Sequence, residues 1–343
     1  MELSPSLAIA GAVPAEFPDV GVAAHFGDPY AEQRALERSA GLVDRSHRDL
    51  VRIGGKDRLS WLNSISTQLV DGLEPGSPAQ TLILSPHGHV EHHLSLVDDG
   101  SDTWIHVEPG EAEPLVSFLE SMRFMLEVSP ADVSDDYGVL TAIGPGLPAD
   151  LDGELAGVAA VMDFPFGRDL IVERQRMADA VSALRLRGLG MAGMWAHEAL
   201  RIAGHRPRFG TDTDHRTIPH EMGWIETAVH LDKGCYRGQE TVARVHNLGH
   251  PPRRLVLLQL DGSADLLPAH GEPVKQEDAT VGFVGSAARH HELGPVALAL
   301  VKRSVPVTAT LRAAGVSAAQ EVIVAPDVGG HVKITLNRRR AAP

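Results

Sequence analysis

The sequence is poor in cysteine: its 343 residues contain one, Cys235. A single thiol excludes an internal disulfide and is typical of a reducing compartment, so we expect a cytoplasmic protein. It also excludes an iron–sulfur cluster held by this chain's own cysteines, because a cluster typically needs four protein ligands. Any role of Cys235 therefore depends on a ligand, a partner or a reaction at the thiolate.

Long apolar runs and an excess of positive charge are also lacking. No apolar run reaches the length of a membrane-spanning helix, and the first Lys or Arg is Arg34, unlike the charged start of a signal peptide. The sequence has 31 Lys and Arg against 45 Asp and Glu, a formal net charge of −14. Because phosphate-backbone binders usually carry a basic face, we expect neither nucleic acid nor membrane as a partner.

Apolar patterns predict a mixed first part and an all-β last part. A chain of this length can form two or three cores, and its apolar fraction, 43%, is ordinary for a globular protein. Before residue 247 the patterns predict short strands, a hairpin that turns at Ser85 to Gly88, and helices such as Glu111 to Leu126. Beyond Asn247 to Pro252, predicted as a linker, short apolar runs separated by turns indicate a small β-barrel.

The segment Lys233 to Glu240 reads Lys-Gly-Cys-Tyr-Arg-Gly-Gln-Glu and holds the only cysteine. Two glycines bracket Cys235, and Lys233 and Arg237 flank it. Nearby cations lower the pKa of a thiol and favour the reactive thiolate, and glycines allow close approach of a ligand. The segment therefore predicts a loop that presents Cys235 as the functional, catalytic thiol.

This segment resembles the signature of the YgfZ-type folate-binding proteins. They belong to the superfamily of the glycine-cleavage aminomethyltransferase, the T-protein, and are related to a mitochondrial iron–sulfur assembly factor. The resemblance extends from about Gly41 to about Arg303 and includes Pro219 to Gly223, Val281 to Ser286 and Gly294 to Leu300. Its signature is specific, because Cys, two Gly, Gln and Glu at fixed offsets seldom recur by accident.

The resemblance implies an α+β fold with two α+β subdomains around a central folate cavity and a C-terminal β-barrel. Residues 1–18 are rich in Ala and Pro, which predicts a loose N-terminal arm. The resemblance implies a first subdomain with a His-rich hairpin over residues 19–135. A second subdomain with the signature is expected over residues 136–246, and the barrel over residues 253–335. It also implies a monomer that binds tetrahydrofolate or a one-carbon derivative of it.

Glu221 matches a glutamate that, in the family, binds the pterin ring. One carboxylate can accept both the ring N–H and the exocyclic amino group of a pterin. Four cations are candidates for the carboxylates of the folate glutamate tail, and two aromatic side chains could stack on its rings or lie in the core. The remaining signature residues hold the loop or touch the ligand. These further candidates are Lys233, Arg237, Arg201 and Arg244; Trp224 and Tyr236; and Gly234, Gln239 and Glu240.

The second strand of the hairpin departs from the aminomethyltransferases. Those enzymes carry an Asp-Asp pair here, one of which assists methylene transfer, whereas this chain has His92 and His93 at the corresponding positions. We expect both to face the folate, but a neutral imidazole cannot supply the negative charge of a carboxylate. Aminomethyl transfer is therefore disfavoured, although Glu91 could replace the aspartate if the register shifts.

Histidines also raise the question of a metal. In a β-strand, alternate residues share a face, which would align four potential ligands along the hairpin: His87, His89, Glu91 and His93. No third element that would complete such a site is evident, so a structural or solvent-facing row is favoured and no metal site is predicted. The pair His290-His291 is interpreted as solvated.

Three functions follow for comparison. The leading hypothesis, from the resemblance, is a tetrahydrofolate-binding protein that supports iron–sulfur cluster assembly or repair, with Cys235 beside the folate. Iron–sulfur assembly or client proteins would be its partners. The second is a glycine-cleavage aminomethyltransferase, and the third is a non-enzymatic metal-binding or interaction module. Whether the protein turns over a substrate stays open at this point.

Overall fold

The computed structural model describes residues 3–151 and 155–329. Within these ranges the chain forms two five-stranded sheets, a closed six-stranded barrel and a two-stranded ribbon. No helix in this part of the chain combines the length and the apolar character needed to cross a membrane. The predicted α+β fold with a C-terminal barrel is confirmed.

The helices and strands are numbered in chain order. Three short 3₁₀ helices, Pro5–Ala8, Arg174–Arg176 and Pro219–Met222, accompany them. The helices are α1 (Pro29–Arg38), α2 (Arg58–Ile65), α3 (Ala112–Ser121), α4 (Met177–Leu186), α5 (Met194–Ala203), α6 (Ile225–Ala228) and α7 (Gln239–Leu248). The strands are β1 (Val13–Pro14), β2 (Ala23–His25), β3 (Gly41–Asp44), β4 (Asp49–Gly54), β5 (Pro78–Leu84), β6 (Val90–Asp98), β7 (Thr103–Val107), β8 (Ser129–Asp132), β9 (Tyr137–Ile143), β10 (Val158–Phe164), β11 (Gly167–Glu173), β12 (Gly190–Ala192), β13 (Arg253–Leu260), β14 (Pro273–Gln276), β15 (Ala279–His290), β16 (Gly294–Lys302), β17 (Leu311–Ala313) and β18 (Val316–Val322).

The first sheet has the order β5-β6-β7-β4-β8 and is antiparallel. The predicted hairpin is β5–β6, in which Leu82 pairs with His93 and Ile83 with His92. Neighbouring residues on a strand point to opposite faces, so His92 and His93 cannot face the same site. Leu94 and Leu96 join the face that packs on α2 and α3, where Leu115 is fully buried.

The second sheet has the order β10-β11-β9-β3-β12. Its strand β3 precedes every strand of the first sheet in the chain, and it pairs with β9 and in parallel with β12. The predicted boundary between residues 135 and 136 therefore does not separate the two sheets. Buried side chains on both sheets, including Leu50, Trp104 and Ile171, pack together and hold them face to face.

The last described strands close into the barrel β13-β16-β15-β14-β17-β18. It is filled by small and branched apolar residues such as Val256, Val284 and Ala299. Its outer side packs on α5 and on the residues that follow the 3₁₀ helix Pro219–Met222. The predicted barrel limit at residue 335 lies outside the described residues.

The N-terminal segment, predicted as a loose arm, is ordered from residue 3 onward. Strand β1 pairs with β2, and the Ser4 backbone N–H donates to the Gly21 carbonyl at 2.9 Å. The buried Ser4 hydroxyl donates to the Asp44 carboxylate at the end of β3. The prediction was wrong because Ala- and Pro-rich composition does not reveal these polar contacts; residues 1 and 2 lie outside the described ranges.

Candidate functional site

A cavity of about 730 Å³ lies between the two sheets and α5. This volume is within the range of small-molecule sites, roughly 300–1,000 Å³. Its polar and aromatic walls come from β6, β7, the β10–β11 turn, β11, α5, the turn before β4 and the segments after β7 and α5. They include Arg45, Arg48, His93, His106, Glu108, Phe166, Asp169, His197, Glu198, Arg201, Arg206, Arg208 and Trp224.

Most charges in this wall neutralise one another. The Glu108 carboxylate accepts from Arg48 at 2.6 Å and from Arg208 at 2.7 Å. Burial would raise the pKa of the Glu108 carboxyl, but the two guanidinium groups outweigh it and hold this pKa well below its ordinary value. The same balance holds at Asp169. Burial raises the pKa of its carboxyl, but Arg45 and His106 outweigh burial and hold this pKa below its ordinary value.

Three histidines in the wall are neutral at pH 7. Burial, reinforced by arginines, lowers the pKa of His93, His106 and His197 to about 4. His106 lies between Arg48, whose Nε donates to its Nδ1 at 2.9 Å, and Asp169, 3.0 Å from its Nε2. This arrangement assigns the His106 proton to Nε2, so the ring links two charged groups without carrying charge.

Two of the predicted folate residues, His93 and Trp224, meet at the cavity. Their rings stack with centroids 4.6 Å apart. Trp224 follows Gly223, whose φ of +76° ends the 3₁₀ helix in the left-handed region that favours glycine. The turn brings the largely buried indole to the cavity wall, where an aromatic side chain can contact the rings of a ligand.

Arg206 differs from the other arginines of the wall. No carboxylate of the described residues lies within 4.0 Å of its guanidinium, and its Nε is buried without a hydrogen-bond partner. The guanidinium carbon lies 5.2 Å from the centroid of the Phe166 ring. Arg206 is therefore a cation available to an anionic ligand. The sequence analysis missed it; two arginines directly after a buried helix, Arg206 and Arg208, were the available signal.

Arg201, predicted to bind the folate tail, differs from Arg206 because its guanidinium is already paired within the protein. Its guanidinium donates to Glu198 at 2.7 and 2.5 Å, to Asp212 at 3.0 Å and to the Arg206 carbonyl at 3.0 Å. The side chain lines the cavity, yet its charge is neutralised within the protein. Arg201 thus positions the segment that carries Arg206.

Glu221, predicted as the pterin ligand, lies away from the cavity. It is fully buried, and its two oxygens accept from Arg253 Nε and Nη2, both at 2.8 Å. The Ile218 backbone N–H also donates to it at 3.1 Å. Both carboxylate oxygens are thus used inside the protein, and the side chain fastens the loop before Trp224 to strand β13.

Lys233 has a structural role at the start of the signature. Its Nζ donates to the carbonyls of Asn63, Ser66 and Gln68 at 2.6, 2.8 and 2.6 Å. These carbonyls lie at and beyond the C-terminal end of α2, where a cation is favourable. Burial lowers the pKa of the Lys233 ammonium to about 8. All three of its N–H donors are occupied, so Lys233 anchors the signature to the first subdomain.

The rest of the signature packs on the hairpin or on the core. The Arg237 guanidinium pairs with Glu91 at 2.7 Å, and the Gln239 amide donates to the Lys233 carbonyl at 3.3 Å. Tyr236 lies in the core, where burial raises the pKa of its hydroxyl to about 12. Gly238, with φ +83°, lies so close to the hairpin turn that a Cβ would come within 2.7 Å of the Ser85 carbonyl oxygen.

Cys235 and its exposed neighbours form the outer surface of the signature. Cys235 and Gly234 are exposed, and Glu240 forms an exposed ion pair with Arg244 at 2.6 Å. None of these four residues lines the cavity. The structure therefore does not bring Cys235 and Glu221 together at this cavity, contrary to the expectation from the sequence.

The remaining hairpin histidines also lie elsewhere. His92 is on the face opposite His93, with its Nδ1 3.2 Å from the Glu111 carboxylate, so it does not contact the cavity. Along the other row, Glu91 is paired with Arg237. His87, His89, Glu91 and His93 do not converge as ligands among the described residues.

Comparison with known proteins identifies the family to which this fold belongs. The family model "GCVT N-terminal domain" matches residues 9–166, and "Glycine cleavage T-protein C-terminal barrel domain" matches residues 253–339. An aminomethyltransferase of Synechococcus sp. (strain RCC307) is 31% identical over 318 residues, which cover 82% of this chain and 84% of that protein. The chain belongs to the T-protein, or aminomethyltransferase, superfamily.

Other members of the superfamily agree with this assignment. The aminomethyltransferase of Bacillus subtilis (strain 168) is 26% identical over 303 residues, covering 79% of this chain and 82% of that protein. The crystal structure of aminomethyltransferase T of the Bartonella henselae glycine cleavage system matches with a TM-score of 0.75 and 19% identity, covering 91% and 93% of the two chains. The similarity to the Bartonella henselae structure establishes a shared fold.

Members of the T-protein superfamily use tetrahydrofolate as a substrate or cofactor, and the cavity of this member fits such a molecule. A folate combines a flat pterin, a benzoyl ring and a glutamate with negative charge. The wall offers the Trp224 surface for a ring and the unpaired Arg206 for a carboxylate. These two side chains and His93 are the residues that would hold it.

Proposed function

We propose that this member of the superfamily binds tetrahydrofolate or a one-carbon derivative and supports iron–sulfur cluster assembly or repair, as its YgfZ-type signature suggests. The observation that carries the folate part is the pairing, in one cavity, of an aromatic ring with a half-buried cation that has no carboxylate partner among the described residues. Arg206 provides the cation and Trp224 the ring surface.

Charge balance supports an anionic ligand. Glu108, Asp169 and Glu198 neutralise the other arginines of the cavity, which leaves the Arg206 charge uncompensated at close range. Burial lowers the pKa of the Arg206 guanidinium because a buried cation without a partner is unfavourable. A ligand carboxylate at this position would restore the pairing, and a neutral ligand would not.

The position of Cys235 supports a partner protein as its target. The thiol is exposed on the outside of the signature and does not line the folate cavity. One cysteine cannot hold a cluster, so a partner would supply the other ligands. Folate and thiol would then act at two places joined by the signature, rather than meeting in one reaction.

Glycine-cleavage aminomethyl transfer is the second candidate, because the relatives carry that name. The hairpin disfavours it. On the cavity face of β6, His93 is neutral at pH 7, and the nearby carboxylate of Glu91 is paired with Arg237 at 2.7 Å. No free carboxylate on this strand is therefore available to stabilise a developing cationic intermediate.

Two assays test the proposal. Calorimetry should show one tetrahydrofolate per chain with a dissociation constant in the micromolar range, about −8 kcal/mol. Incubation with aminomethyl-loaded lipoyl-carrier protein and tetrahydrofolate should yield no methylene transfer above background. Absence of folate binding would reject the first part, and efficient transfer would make this chain an aminomethyltransferase.

The iron–sulfur part is tested in cells. In a strain that lacks this gene, Cys235→Ser should bind folate normally in vitro but fail to restore the activity of cluster-dependent enzymes. Glu240→Ala, at a neighbouring exposed position, is the matched control and should restore it. Full complementation by Cys235→Ser would remove the thiol from the mechanism.

A further inference from the structure

Away from the folate cavity, a second cluster of polar side chains joins α1 to the end of β15. Glu37, His290 and His291 each contribute one ligand-type atom, and these three atoms lie within 4.8 Å of one another. The side chains of His290 and His291 are only 5% and 3% exposed, whereas Glu37 is 35% exposed. The histidine pair is thus buried, and its interpretation as solvated was wrong.

The carboxylate of Glu37 lies between the two imidazoles. One of its oxygens makes a short contact with His291 Nε2, and the other is 3.6 Å from His290 Nε2. The two rings stack with centroids 4.8 Å apart and an interplanar angle of 30°. Two imidazole nitrogens and one carboxylate oxygen are the ligand types that zinc takes in three-residue protein sites.

The surrounding contacts fix these ligands from both sides. The Gln33 side chain accepts from the His291 backbone N–H at 2.8 Å and donates to the Arg289 carbonyl at 2.9 Å. Arg38, next to Glu37, pairs with Glu292 at 2.7 Å. Helix α1 and the β15–β16 turn are therefore held together around the cluster by bonds that do not involve its ligand atoms.

We infer that Glu37, His290 and His291 form a binding site for a divalent transition metal of the zinc class, which nothing in the sequence pattern indicated. The side exposed at Glu37 leaves room for water as a fourth ligand. The ion would connect the helix that precedes the second sheet to the barrel. It would lie beside a groove of about 890 Å³ that shares Phe166 and Arg206 with the folate cavity.

Two hydrogen bonds of His290 predict how metal binding would alter the structure. His290 Nδ1 accepts from the backbone N–H groups of Glu292 and Leu293, both at 3.2 Å. Coordination through Nε2 requires the proton on Nδ1, which then cannot accept. Both bonds are at the long end of the normal range. Metal binding should therefore release these two amides and speed their hydrogen exchange.

Zinc titration of the metal-free, full-length protein against a chromophoric chelator tests the site. We expect one zinc per chain with micromolar or tighter affinity, in the absence of folate. His291→Ala and Glu37→Gln should each weaken binding by at least about tenfold, since loss of outer-shell partners already costs 10–100-fold. His87→Ala, which removes an exposed imidazole from the hairpin, is the matched control and should bind as the unchanged protein does.

The outcomes separate clearly. Absence of stoichiometric zinc, or equal affinity in His291→Ala, would overturn the site, and so would a loss of binding in His87→Ala alone. If His291→Ala does not fold, Glu37→Gln decides, because it changes a partly exposed helix position and retains both imidazoles. Zinc-dependent exchange at Glu292 and Leu293 supports the site independently of affinity. Since none of these measurements includes folate, their failure leaves the proposed function untouched.

Discussion

The signature loop and the cavity wall use charged residues in opposite ways. In the signature, Lys233 and Arg237 are paired to carbonyls or to Glu91, and they hold the second subdomain against the first. In the cavity wall, a network of ion pairs leaves Arg206 without a carboxylate partner among the described residues. The segment with the strongest sequence pattern is thus a structural joint with an exposed thiol, and the segment with a weak pattern faces the cavity.

This difference teaches that a motif can mark a joint rather than a ligand contact. The signature glycine Gly238 lies against the hairpin turn, and Lys233 fastens the opposite end to α2. A loop fixed at both ends positions its exposed centre, Cys235, relative to the rest of the fold. The motif is therefore explained by two structural contacts, those of Gly238 and Lys233, and by one exposed thiol.

The largest expected effect is a loss of folding stability at acid pH, which should arise from the cavity wall. The pKa of His93, His106 and His197 is lowered to about 4, below the ordinary 6.5, so the unfolded chain takes up protons first as pH falls. The contribution of these histidines to stability should be constant above about pH 6.5 and should fall below it, at about 1.4 kcal/mol per pH unit for each histidine. We expect a loss of roughly 5 kcal/mol at pH 5 in urea denaturation. A flat profile over this window would contradict the buried, neutral state of the wall.

The next effect tests Glu221 as a structural residue. Glu221→Ala leaves the Arg253 guanidinium with only Asp214 as a carboxylate partner, so the free energy of unfolding should fall by about 3 kcal/mol. Folate affinity of the folded protein should stay within about twofold, because Glu221 does not line the cavity. A large loss of affinity at unchanged stability would restore Glu221 as a ligand.

A smaller loss should follow from changing the anchor of the signature. Lys233→Met leaves three carbonyls beyond α2 without their donor and should reduce the free energy of unfolding by roughly 2 kcal/mol. Glu240→Ala, in the same signature but on the surface, should change it by less than about 0.5 kcal/mol. Equal effects of the two variants in urea denaturation would show that Lys233 is not an anchor.

Arg206→Gln should change ligand binding and leave stability nearly unchanged. Without a charge to pair with the folate carboxylate, calorimetric affinity should fall by roughly 10–100-fold, about 1.4–2.8 kcal/mol. Arg244→Gln is the matched control, since Arg244 was also predicted to bind the folate tail but is exposed and paired with Glu240. The assignment fails if both variants bind equally well.

The individual elements were largely predictable, because hairpin, helices and barrel strands each have a local pattern of apolar residues. The arrangement of two subdomains around a cavity was expected only from the family resemblance. Strand β3 was assigned to the wrong unit, since its partners β9 and β12 are about 100 and 150 residues away and pairing at that distance leaves no local trace. The N-terminal arm failed for the same reason: its contacts depend on Asp44, which is remote in sequence.

The site was predicted only in part. Trp224 and His93 face the cavity, whereas Glu221 was misplaced because Gly223 turns the chain between it and Trp224. A carboxylate's partner decides its role, and Arg253 lies on a strand of the barrel, 32 residues further along the chain. Burial of a charged group therefore depends on packing that a single sequence does not display.

The exposed position of the only cysteine has a practical consequence. A maleimide probe or photo-crosslinker would attach to Cys235 alone, at one defined point on the outer surface of the chain. Because this point is outside the cavity, the labelled protein should still accept its small-molecule ligand. A fluorophore there would report the arrival of a protein partner by a change in emission, and a crosslinker would capture that partner covalently.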